Sequence, residues 1–324
     1  LANGYAAVQG TMALLNIESA EFEKTMIKVQ SAMAIAQGIG GMKDLIDELD
    51  KGTGKGIPFA NCELLNAETS GMLGGNIIGM GASSGVGKST LSINYIFPTV
   101  MKENLKAVFI INEEDQNKFK KEALIWYCTN ELKHPIPKRV LRDGDFDQET
   151  KAVLYKAAEW FESIQERRNI TIIPLEQYTA RTVVKLIKKY TKMGCDIIVL
   201  DTLKESYDAR DKESWKSLMT DCVDFYDAIK HTDTCMIITY QLVKNKSKYL
   251  TNADIGVSKG ILDVFSVNIF FRRPLQTEYE GEKDELYCYL PIKNSDGFRT
   301  PKLSKDKHYM IGFISKNRFG QSDI

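Results

Sequence analysis

The sequence predicts an α/β protein with a mainly parallel central sheet, helices on both of its faces, and antiparallel strands at its C-terminal end. Three observations carry this. From residue 59 onward, short apolar runs alternate with amphipathic stretches of helical length. Strands interleaved with helices must pair in parallel, in a sheet covered on both sides. One apolar run, NIIGM at 76, opens onto a bend rich in glycine and serine that ends in Lys-Ser-Thr. After residue 265 the texture changes to VNIFFRR, ELYCYLPIK and YMIGFISK, which read as strands separated by turns and extend the sheet in antiparallel fashion.

Residues 1–50 are rich in Ala and Met with helical periodicity. They read as two helices joined near Asn16 to Ala20, a hairpin for packing or oligomerisation. The glycine-rich KGTGKGIP at 51–58 reads as a linker to one domain over 59–324. Strands are expected at NIIGM (76), AVFII (107), ITIIPL (170), DIIVL (196) and CMIIT (235). Helices are expected over 88–105, 116–130, 148–166, 179–193 and 212–231.

The bend is the first chemical signal. In NIIGMGASSGVGKSTLS, residues 76–92, the glycines permit tight turns that aim backbone N–H groups at an anion. A helix starting near Lys88 adds the positive end of its dipole. The nucleotide cradle is therefore expected at Ala82, Ser83, Ser84, Gly85, Val86, Gly87, Lys88, Ser89 and Thr90, with the Lys88 ammonium on the outer phosphates and the Ser89 hydroxyl on Mg²⁺. The strict pattern has glycine where Ala82 stands, with Gly81 just ahead of it.

Ligands of open parallel sheets sit beyond the carboxyl ends of the strands. After AVFII come Asn112, Glu113, Glu114 and Asp115. Glu114 and Asp115 suit a helix N-terminus, whereas Glu113, nearest the strand, is positioned to deprotonate a water. After DIIVL comes Asp201, the usual grip for Mg²⁺. After CMIITY comes Gln241, able to sense a terminal phosphate or to cap a loop. Lys244, Lys246 and Lys248 follow directly and suit the phosphates of single-stranded DNA.

Bulk properties exclude little. Of 324 residues, Lys+Arg and Asp+Glu number 43 each, so overall charge names no partner, although a local basic strip suffices for nucleic acid. The six cysteines are dispersed with no CxxC spacing, which argues for reduced, mostly buried thiols in a cytosolic protein. No apolar run is long enough to span a bilayer, and no signal peptide is evident. The chain starts at Leu1 rather than methionine, as a fragment or a processed product would.

These residues carry a family resemblance. IPFANCELLNAETSGMLGGNIIGMGASSGVGKST resembles the entry to the ATPase domain of DnaB-type replicative helicases. AVFIINEED is similar to that family's strand ending in a catalytic glutamate, here Glu113; CDIIVLDTL to its Mg²⁺-site strand, here Asp201; and MIITYQL to its strand ending in glutamine, here Gln241. GFISKNRFGQS resembles the family's Lys-x-Arg before a glycine turn, here Lys316 and Arg318, which in the family reach into the neighbouring subunit's nucleotide site. The resemblance spans roughly 56–322 and implies a RecA-like phosphate-loop NTPase using ATP and Mg²⁺. It also implies a homo-oligomer, by precedent a hexameric ring, on single-stranded DNA, with primase or a helicase loader as partners. The loop residues Ser84-Gly85-Val86 depart from the usual helicase loop, the segment from Gln241 to Lys259 is not arginine-rich, and residues 1–50 do not look like a primase-binding domain. Those first residues resemble segments of phage tail tape-measure proteins instead, hinting at a phage protein in the host cytoplasm. Two other readings stay open: a RecA- or clock-type ATPase acting without unwinding, and a module that binds ATP only as structural glue.

Overall fold

Every apolar run singled out between residues 76 and 241 forms a strand: β1 (Ile77–Ala82), β2 (Ala107–Ile111), β3 (Ile170–Pro174), β4 (Ile197–Asp201) and β5 (Cys235–Gln241). The computed structural model describes residues 50, 54–113, 115–207, 214–243, 248–255, 259–288, 290–291 and 298–322. Helix α1 (Glu63–Thr69) precedes β1; α2 (Lys88–Glu103), α3 (Gln116–Asn130), α4 (Lys138–Asp143), α5 (Gln148–Glu166), α6 (Ala180–Lys192) and α7 (Ser214–Ile229) lie between the strands, and α8 (Ile261–Val264) follows β5. Then come β6 (Val267–Arg272), the short β7 (Leu290–Pro291) and β8 (Phe298–Arg299), and β9 (Ile311–Asn317).

The chain divides into two compact units, Leu1–Gly54 and Lys55–Ile324. The hairpin expected over 1–50 lies outside the described residues, Asp50 excepted. The Gly56 N–H donates to the Ser70 carbonyl at 2.8 Å and Ile57 bridges Met72, so 55–58, the latter half of the expected linker, is bound into the second unit.

The sheet of the second unit runs β3-β2-β4-β5-β1-β6-β9. All neighbours are parallel except β6 and β9. The expected antiparallel extension is therefore β9 alone. ELYCYLPIK contributes β7 to a separate two-stranded sheet with β8, because its pairing partner is the local return strand rather than the sheet edge.

Both faces of the sheet are apolar, which is why its strands read as continuous hydrophobic runs. Ala107, Phe109 and Ile111 of β2, with Ile197 and Val199 of β4, face the layer of α2, α3 and α5. Val108, Ile110, Ile198 and Leu200 face α6 and α7. Two glycines of β1 allow close approach on this second face. A Cβ at Gly79 would sit 2.3 Å from the Phe265 ring, and one at Gly81 would sit 2.9 Å from both Phe270 and Tyr240. Within the space so left, the Tyr240 hydroxyl donates to Asn268 Oδ1 at 2.5 Å and Asn268 Nδ2 donates to Ser315 Oγ at 2.7 Å, a buried polar thread from β5 to β9.

Asp147 caps α5 by accepting from the Thr150 N–H, and Thr179 caps α6 by accepting from the Thr182 N–H. Helices α1 and α4 have no counterpart in the sequence reading; seven and six residues long, they are too short to show a period. Cys128, Cys195, Cys222 and Cys235 are buried. Burial pushes the Cys195 thiol up to about 12 and raises those of Cys222 and Cys235 as well. Among the described residues no helix is long and apolar enough to cross a membrane.

Candidate active site

β1 ends at Ala82, paired with Gln241 on one side and Phe271 on the other, so the chain leaves the sheet at its middle. The bend that follows needs glycine at two places. Gly85 has φ +76° and Gly87 φ +113°, where an L side chain is strained. Gly87 is also the N-cap of α2 and supplies no side-chain cap. The first turn of α2 thus opens towards a cleft of about 390 Å³. Ser84, Gly85, Gly87, Lys88, Ser89 and Thr90 line it, and Glu113 faces them from the tip of β2. The loop is braced from within, where the Val86 N–H donates to Ser83 O at 3.3 Å, and from outside, where Arg273 Nη2 donates to Gly85 O at 3.0 Å.

The strand tips are tied to one another. Ser89 Oγ donates to Asp201 Oδ2 at 2.6 Å, and Thr239 Oγ1 of β5 donates to Asp201 Oδ1 at 2.6 Å. Asp201 is buried, and a buried carboxylate needs such partners. Asn112 clamps β2 to β4. Its N–H donates to Asp201 O at 3.0 Å, its Nδ2 donates to Thr202 O at 2.8 Å, and its Oδ1 accepts from the Thr202 N–H at 2.9 Å. That clamp sets Glu113, the next residue, at the cleft wall. Glu114 lies outside the described residues, and Asp115 stands at the start of α3.

Other expected residues stand elsewhere. Ala82 is buried under the loop, and Ser83 Oγ reaches Val243 O at 3.5 Å. Val86 packs on the core and lines an adjoining cavity instead. Gln241 is exposed at the end of β5, beside Ala82 but outside the cleft lining. Lys248 Nζ pairs with Asp284 at 3.2 Å; Lys244 and Lys246 lie outside the described residues.

Lys316 and Arg318 lie at the other end of the sheet. Asn317 pairs with Val267, which pairs with Ile78, whereas the phosphate-loop end is marked by Phe271 and Ala82. The step from Val267 to Phe271 is roughly 13 Å at the usual rise of a strand. Both cations turn onto carbonyls at the end of α8. The Lys316 ammonium donates to Leu262 O and Asp263 O, and Arg318 Nη2 donates to Asp263 O at 2.6 Å. Burial, and then the charge of Arg318, lower the pKa of Lys316.

The structure also adds residues the sequence did not single out. Thr90 Oγ1 donates to Glu122 Oε2 of α3 at 3.3 Å, and Glu122 pairs with Lys138 of α4. Nothing in the pattern of α3 marks Glu122, and α4 carries no signal of its own. Beyond Lys138 lies the second cavity, about 560 Å³, walled by Arg273, Tyr279, His308 and Tyr309.

The strand order and the loop at the tip of β1 define a RecA-like phosphate-loop α/β fold. No family model matches the chain. Among solved structures, it is similar to the ATPase domain of G40P, with a TM-score of 0.67 and 16% identity over 87% of this chain and 91% of that one. It is similar also to a DnaB-like replicative helicase, in a structure concerned with that helicase's interactions with primase; there the TM-score is 0.61 and the identity 16% over 93% of this chain and 73% of that one. The fold is thus that of the DnaB-type helicase ATPase domain.

Proposed function

We propose that the chain is the motor of an ATP-dependent DNA helicase, hydrolysing ATP at subunit interfaces to move on single-stranded DNA and unwind duplex in replication, by the sequence resemblance that of a phage. The observation that carries the reading is the contact of Ser89 Oγ with Asp201 Oδ2 at 2.6 Å, beside a cleft lined by Lys88 and Glu113. A hydroxyl and a carboxylate oxygen are the hard donors that suit Mg²⁺. Ser89 and Asp201 would hold that ion, and once bound it supplies charge neutralisation on the phosphates. The N-terminal N–H groups of α2 and the Lys88 ammonium bind the triphosphate. Glu113 orients a water and takes its proton as the water oxygen bonds to the γ-phosphorus and the bond to the bridging oxygen breaks.

Within one chain Arg318 stands at the far end of the sheet from this chemistry, so its use as a finger requires a second copy. Head-to-tail contact of that kind closes into a ring or runs into a filament, and a ring of six in the cytoplasm is the arrangement proposed. Lys244, Lys246 and Lys248, on the segment after β5, are assigned to the DNA backbone. A primase or loader partner rests on the likeness to the DnaB-like helicase alone.

Forked-DNA unwinding with ATP tests the reading, alongside solution mass with a non-hydrolysable ATP analogue. The wild type is expected to separate strands as a ring of six. Glu113→Gln is expected to bind ATP and to lose about 10²- to 10⁴-fold in turnover. Turnover without strand separation would favour the RecA- or clock-type reading. Unchanged turnover in Glu113→Gln would remove that residue as the base.

A further inference from the structure

Lys138 is the first residue of α4, outside every motif in the sequence. It lines both the phosphate cleft and the aromatic-walled cavity next to it. Among the described residues only Gly85, Gly87 and Thr90 share that position, and all three belong to the phosphate loop or the first turn of α2. Lys138 is thus a cation at the junction of the two cavities, carried by an element separate from the loop. Its ammonium pairs with Glu122 Oε1, while Glu122 Oε2 takes the Thr90 hydroxyl. The lysine side chain is 64% exposed and the glutamate only 12%. A mostly sequestered carboxylate therefore holds a cation that is itself open to the cleft.

We propose that Lys138 is a second nucleotide-binding lysine, contacting the phosphates nearest the nucleoside, and that Glu122 holds it in reserve until a nucleotide arrives. This rests on the nucleotide reading of the cleft. Lys88, at the helix start, serves the outer phosphates, and Lys138, which also borders the second cavity, serves the inner ones. The anionic ligand competes with Glu122 for the ammonium. Glu122 keeps the Thr90 hydroxyl as a donor when Lys138 leaves. The same site then binds any nucleotide with a phosphate next to the ribose.

Two substitutions that break the same ion pair give opposite results. Binding of ATP, ADP and adenosine to the full chain is measured by calorimetry, with the melting temperature of each variant as a control. Lys138→Met is expected to weaken ATP and ADP by about 10- to 100-fold, the range for hydrogen bonds to charged groups, and to leave adenosine unchanged. Lys138→Arg is expected to recover most of the loss. Glu122→Gln frees the lysine and is expected to tighten ATP several-fold. If Lys138→Met and Glu122→Gln shift ATP affinity in the same direction, or leave it where the wild type has it, Lys138 is only a tether between α4 and α3 and the proposal is overturned. A wild type that binds none of the three overturns the nucleotide reading, and this inference with it.

Discussion

The two ends of the central sheet are built differently. At the tips of β2, β4 and β5, side chains from three strand ends and two helices converge: Ser89 and Thr239 bind Asp201, Asn112 binds the Thr202 backbone, and Thr90 binds Glu122. At the other end, Lys316 and Arg318 face no carboxylate in those contacts and donate to the carbonyls of Leu262 and Asp263 instead. A carbonyl is a weaker partner for a full charge than an ionised oxygen. The first end is organised before any ligand comes, and the second keeps its cations loosely held. In the proposed ring, each interface joins one end of each kind.

The sharpest way to break that comparison is Arg318→Ala. Turnover is expected to fall by about 10³- to 10⁵-fold, as for other arginine fingers, with ATP binding by the dilute chain unchanged. Mixing Arg318→Ala with Glu113→Gln chains is expected to restore part of the activity in steady-state assays, because an interface between the two variants can hold both intact groups. Loss of ATP binding in Arg318→Ala, or no recovery on mixing, would break the pairing of ends.

A second test concerns stability. At the phosphate-loop end Arg272 forks onto Glu278, Nη1 to Oε2 at 2.6 Å and Nη2 to Oε1 at 2.7 Å, with the carboxylate buried. Arg272→Ala strands a buried charge and is expected to cost about 3–5 kcal/mol in urea unfolding. Arg318→Ala, which removes an exposed contact, is expected to stay within about 1 kcal/mol. Burial alone would raise the Glu278 carboxyl, but the hydrogen bonds from Arg272 and the Leu275 N–H outweigh it and hold the pKa below the ordinary value. A carboxyl lowered by folding stabilises above its unfolded pKa and loses that contribution as pH falls through the folded value. The wild type is therefore expected to lose stability on the acid side through this group, and Arg272→Ala to show a shallower acid slope.

The smallest effect belongs to Lys248. Its pairing with Asp284 leaves it only a fraction of the proposed DNA contact. Lys248→Ala is expected to flatten the plot of log affinity for single-stranded DNA against log salt by no more than about 0.7, the share of one phosphate. A larger change would mean that the Asp284 pair opens on DNA.

The order of strands and the loop were legible because each rests on local chemistry. The runs at 107, 196 and 235 are apolar on both faces, and the glycines at 85 and 87 stand where positive φ is required. Asp201 was legible from its place after DIIVL, and its contact with Ser89 follows from the parallel order. Glu122, Lys138 and Arg273 were not, because each reaches the loop from an element whose own pattern says nothing about where it docks. The strand ELYCYLPIK was misplaced for a related reason. Alternation marks a residue run as extended but does not say which edge it joins, and here it joins β8.

The sealed cysteines give the molecule a built-in chronometer. Cys235 belongs to the apolar layer on one side of the sheet and Cys195 and Cys222 to the layer on the other, while Cys128 sits in a small satellite cluster. A thiol reagent meets them only when the covering helices lift away. The order in which the sulfurs become modified would then record which half of the sandwich loosens first, in a chain carrying no added label.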